Sequence, residues 1–167
     1  MRSLLMIALL GIAWTTFFWS MQRRFRLLLT GKPEMRWDEV PRRIADTVLY
    51  ALGQRRMPRY PLTGYLHMAI FFGFIVLLLR SVILWGRGAY DPAFNLAFVF
   101  GPAHDMNVLG MLYSFAKDIC AVVVLGAAAA ALYNRVVNKP ARLTQSFEAN
   151  LILVIIVTMM IGDMIYD

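Results

Sequence analysis

Residues 62–86 read LTGYLHMAIFFGFIVLLLRSVILWG, twenty-five residues with one charge, Arg80. As a helix rising about 1.5 Å per residue, this run is longer than a hydrocarbon core of about 30 Å. A segment in lipid must satisfy its own backbone hydrogen bonds, so the run is expected to be a transmembrane helix. Pro58 and Pro61 mark its entry.

Three further segments repeat the pattern. Residues 3–20 are uncharged, as is the stretch from Ile119 within residues 106–134, and residues 145–167 carry charges only toward their ends, at Glu148, Asp163 and Asp167. The first segment has only Arg2 as a basic flank and no small-x-small cleavage site after it, which favours a retained span over a signal peptide. The series Gly126 to Ala131 in the third span either lets helices approach closely or reflects helix propensity. The expected fold class is therefore all-α, one integral membrane bundle of about four transmembrane helices. Composition agrees, because 60% hydrophobic residues leave too little polar surface for a soluble globule.

The loops orient the bundle. Ten of the 17 basic residues fall between the first two spans, at Arg23, Arg24, Arg26, Lys32, Arg36, Arg42, Arg43, Arg55, Arg56 and Arg59. Arg135, Lys139 and Arg142 lie between the last two spans, and the other side has only Arg2 and Arg87. The positive-inside rule makes this a multi-pass protein of the inner (cytoplasmic) membrane with basic loops inside and both termini external. Within the basic interfacial loop 21–61, Val40, Ile44, Val48, Leu49 and Leu52 recur at helical spacing between Asp38, a plausible N-cap, and Gly53, a plausible stop. This predicts a cytoplasmic amphipathic helix that lies on lipid headgroups or docks a soluble redox partner. A net charge of +7 without aromatic stacking modules points to membrane lipids or an acidic partner, and not to nucleic acid.

Few residues carry chemistry. One cysteine, Cys120, excludes an iron-sulfur or zinc site built within the chain. His67 lies about five residues inside the second span, and an imidazole there is either a haem ligand or a neutral ring bonded to a nearby carbonyl. Gly64 and Gly73 would relieve crowding beside a flat macrocycle. Lys117 and Asp118, adjacent and about 100° apart on a helix, are not expected to face each other. They are candidate catalytic groups, with Asp118 a possible proton relay to a quinone. Arg80 is expected to snorkel to the outer interface.

The Gly-Gln-Arg-Arg of 53–56, the Tyr-Pro-Leu-Thr-Gly of 60–64 and the His-Met-Ala-Ile-Phe-Phe-Gly-Phe of 67–74 resemble the membrane haem-b domain of the respiratory nitrate reductase gamma-subunit type. The likeness is to the version found with heterodisulfide-reductase-like iron-sulfur proteins, including electron-transfer-flavoprotein:menaquinone oxidoreductases. Arg26 to Glu34, Lys117-Asp118 and Lys139 to Leu143 add to it. The resemblance implies that His67 ligates the iron of a b haem, with Gly64 beside it, and that electrons pass between an iron-sulfur protein or electron-transfer flavoprotein and the quinone pool. Leu77 stands where a two-haem member has a second histidine, and no later histidine-bearing helix follows, so one haem is expected.

His104 is expected on the opposite side of the membrane from His67, too far to share an iron. Methionine packing is the ordinary role of the chain's 11 methionines. The second axial ligand is therefore expected from outside this chain, from a continuation or a partner. The competing reading is a cofactor-free anchor or assembly subunit. A transporter is disfavoured because no paired, Gly/Pro-interrupted halves are present.

Overall fold

The computed structural model describes residues 2–32, 37–91, 93–101, 106–141 and 143–166. His104, Arg36 and Arg142 lie outside them. The described residues form helices and connecting turns without a strand: α1 (Arg2–Leu29), α2 (Val40–Thr47), α3 (Pro61–Ala89), α4 (Ala97–Phe100), α5 (Val108–Tyr133) and α6 (Phe147–Tyr166). Four segments, Ser3–Leu29, Pro61–Ala89, Val108–Asn138 and Phe147–Tyr166, are long and apolar enough to cross a membrane.

Local chemistry accounts for the ends. Pro61 opens α3, where its missing N–H is no loss. Asn107 caps α5 by accepting a hydrogen bond from the Gly110 N–H at 2.9 Å. A wider turn, Asn134–Asn138, ends that helix against Lys139 in the left-handed conformation. Two expectations change here. Helix α1 runs unbroken through Arg23, Arg24 and Arg26, so the non-helical connection begins at Thr30, because nothing in that run breaks a helix. Asp38 does not cap α2: its carboxylate pairs with Arg43 at 2.9 Å, and Glu39 occupies the cap position without a capping hydrogen bond, its carboxylate taken by Arg42 at 3.1 Å. The amphipathic segment is nonetheless helical, with α2 continuing as a wider turn over Val48–Leu52 before Gly53.

Helix α5 is the spine. Packed antiparallel to it, α3 approaches closely because Gly73 leaves room for the Val124 side chain, which any Cβ at 73 would strike. Leu77, Ala121 and Val124 form the centre, with Cys120, Ile156 and Met160 against them. Of the small-residue series, Ala127 and Ala128 face this interior, while Gly126, Ala129 and Ala130 face outward. Helix α6 lies on another side of α5, leaving a gap toward α3. Helix α1 meets α3 through its first half, with Met6 against Gly88 and Trp14 against Trp85. Met57, Arg59 and Tyr60 meet Pro140 and Leu143 at one end, called here the basic end.

Candidate functional site

Polar side chains gather at both ends of the gap between α3 and its neighbours. At the basic end, His67 is exposed on α3 and stacks on Phe71 one turn later, ring centroids 6.5 Å apart and planes 19° apart. It makes no hydrogen bond to a described residue. Two adjoining cavities meet at its ring. One, about 600 Å³, is bounded by Met57, Arg59 and Tyr60, the first turn of α3 through Gly64, Pro140 and Leu143; the other, about 240 Å³, lies between Thr63, Leu66 and Ile70 of α3, Ala131, Asn134 and Arg135, Leu143, and Ala149, Ile152 and Leu153 of α6. The lining is largely apolar. Arg59 borders the first cavity and Arg135 the second. Arg135 is oriented by Asn150 at 3.1 Å and the Thr144 carbonyl at 2.7 Å.

The glycines serve the protein's own packing. Gly64 is buried because the Met57 carbonyl occupies the place of a side chain, as Val124 does at Gly73. A planar ligand at His67 would therefore lie on the open side of the imidazole.

At the far end, a cavity of about 490 Å³ is lined by Arg80, Arg87, Asn95, Phe100, Tyr113, Ser114, Lys117 and Asp118, among others. Lys117 and Asp118 do meet, contrary to expectation, with Nζ to Oδ1 at 3.2 Å. Backbone directions 100° apart are bridged because the lysine stem is long. The lysine side chain is 10% exposed and the aspartate 67%, so the pair leads from the cavity to the surface. Arg80 does not snorkel. Its side chain is 7% exposed, and its Nε donates to Asp163 Oδ1 at 3.2 Å, with the guanidinium 5.9 Å from the Tyr166 ring centroid. The bridge crosses from α3 to α6, because burial leaves a charged group no alternative to a partner. Sequence reasoning missed this link, and also Tyr113, Arg87 and Asn95 as cavity residues. The signal available was an arginine and an aspartate at similar depth in two spans running the same way.

With both ends described, two comparisons are informative. The chain is similar to the EtfAB:quinone oxidoreductase of Syntrophomonas wolfei subsp. wolfei, 28% identical over 158 residues that cover 89% of this chain and 20% of that protein. It is also similar to the probable iron-sulfur-binding oxidoreductase FadF of Bacillus subtilis (strain 168), 24% identical over 166 residues, 97% of this chain and 22% of that protein. The chain thus spans about a fifth of the length of these curated relatives. No family model and no solved structure matches it. The likenesses support kinship with an oxidoreductase-related family. Among the described residues no group of three or more His, Cys, Asp or Glu side chains is arranged to hold a metal ion.

Proposed function

We propose that this chain is a membrane electron-transfer module that relays electrons between an iron-sulfur or flavoprotein partner at its basic end and the quinone pool through one b-type haem. The observation that carries this reading is His67, an exposed histidine on an apolar span that lines two neighbouring cavities. The residues present fit the group. His67 would supply an imidazole nitrogen to the iron, Phe71 an aromatic neighbour, and Arg59 and Arg135 cations for the carboxylate groups. A haem at this position supplies one-electron chemistry in a low-dielectric setting. The chain's residues would hold it and shield it with apolar side chains, and a histidine from outside this chain would complete the site. The names of the relatives, one a quinone oxidoreductase and one an iron-sulfur-binding oxidoreductase, support the partners proposed here. The basic loops then face the cytoplasm, where they meet an acidic protein surface or anionic lipid.

At the far end the quinone head group is assigned to the 490 Å³ cavity. There Lys117 would donate a hydrogen bond to a ring oxygen, and Asp118, its ion-pair partner, would be the group that gives or takes the proton.

A second reading, a cofactor-free anchor, draws on the same exposure of His67, which one partner helix would cover equally well without a haem. A reduced-minus-oxidised visible spectrum of the purified complex decides between them. A b-type band supports the module, and a featureless spectrum leaves the anchor.

A further inference from the structure

Resting on the quinone reading above, we propose that Arg80, held in place by Asp163, is the cationic wall against which the quinone ring docks. Arg80 borders two cavities. One is the 490 Å³ cavity; the other, about 300 Å³, lies between α3 and α6. Asp163 borders only the second. Arg80 therefore stands between the two cavities, its Nε tied to a carboxylate that lines the second.

The consequence is an asymmetric charge distribution. Arg80, Arg87 and Lys117 line the 490 Å³ cavity, against one carboxylate among its lining residues, Asp118. Arg87 is itself oriented by the Phe94 carbonyl, which accepts from its Nε at 2.9 Å. The buried members of this set, Arg80 and Lys117, with side chains 7% and 10% exposed, act more strongly on a bound ligand than charges in water would. A quinone presents two carbonyl oxygens that already bear partial negative charge and gain more as the ring accepts electrons. A planar guanidinium suits such an acceptor better than a mobile ammonium does. Two aromatic residues also line the cavity, Phe100 stacked on Tyr113 with centroids 4.9 Å apart and planes 14° apart. Aromatic side chains together with cations match a planar conjugated dione more closely than a tetrahedral phosphate. In this arrangement Asp163 is a positioning residue: it touches no substrate and fixes the angle of the guanidinium.

The test uses the full-length protein with its redox partner in membrane vesicles, and binding of 2-heptyl-4-hydroxyquinoline N-oxide, a fluorescent quinone analogue quenched on binding. The charge-swapped variant R80D/D163R keeps a bridge between α3 and α6 but turns a carboxylate toward the cavity. It is expected to insert normally and to bind the probe at least ~10-fold more weakly, the scale of one charge-assisted hydrogen bond. D163E, which keeps the guanidinium anchored, is expected to stay within about threefold of the wild type. Binding by R80D/D163R equal to wild type would make the pair a strut only and overturn the proposal, while leaving the quinone site standing. No binding by the wild type would overturn the quinone reading and this proposal with it. Displacement of the probe by anionic lipid but not by menadione would assign the cavity to a phosphate headgroup and overturn the proposal as well.

Discussion

His67 and Trp85 lie on one face of α3, eighteen residues apart, which at about 100° per residue is five full turns. Trp85 is covered by Trp14 of α1, with ring centroids 6.2 Å apart, and His67 is left open. Phe74 and Leu78 between them are exposed too. Helix α1 therefore closes the far end of this face and leaves its basic end to another molecule or segment. If that face holds a haem, His67→Ala removes the b-type band from the reduced-minus-oxidised spectrum of the complex while insertion is unchanged. An unaltered band in the variant would reject His67 as the ligand.

Because the open face supplies one imidazole, the 167-residue chain expressed alone is expected to bind no stable six-coordinate, low-spin haem. Addition of the partner, or of the longer protein context, restores it. A stoichiometric bis-histidine spectrum from the isolated monomer would refute an outside ligand.

The distribution of charge predicts topology. Tags placed in the 30–60 segment should be reached only from the cytoplasm, and tags at either terminus only from outside. Labelling of a terminus from the cytoplasmic side would invert the bundle, and with it the side on which the soluble partner docks.

How much of this was legible in the sequence follows from what sets each feature. The four spans are fixed by hydrophobic length, a local property, and every one is present. The amphipathic segment was legible for the same reason, whereas its cap was not: Asp38 is a good capping residue, but Arg43 offered its carboxylate a charged partner. Lys117 and Asp118 were named from residue type, yet their contact depends on the reach of a flexible stem. The Arg80–Asp163 link spans 83 residues and depends on how α3 and α6 sit around α5. No periodicity within either helix encodes it. Gly64 and Gly73 drew attention as gaps for a ligand, but which neighbour fills such a gap is a tertiary matter, and here it is Met57 and Val124.

For the Lys117–Asp118 pair, a role in quinone chemistry predicts a loss that partner binding does not share. Lys117→Met with Asp118→Asn should lower quinone turnover by the assembled complex by ~10²-fold or more, the usual scale for a lost general acid or base. Reduction of the haem by the soluble partner should be unchanged. Equal quinone turnover in the variant and wild type would remove both residues from the mechanism.

The Arg80–Asp163 bridge makes a prediction about stability that is independent of any ligand. The two side chains are 7% and 14% exposed, so removing one leaves the other charged in a low-dielectric setting. Arg80→Leu or Asp163→Leu alone is expected to destabilise the folded bundle by about 3–5 kcal/mol, the range for breaking a buried pair from one side. The double variant removes both charges and fills the space with apolar atoms next to Leu77 and Met160, which already line that gap. It should therefore recover most of the loss. Thermal unfolding of the four proteins in one detergent, arranged as a double-mutant cycle, measures this coupling directly. Single-variant losses that simply add in the double variant would show that the two residues do not act as a pair, and would return Arg80 to the interfacial role that its position in the sequence suggests.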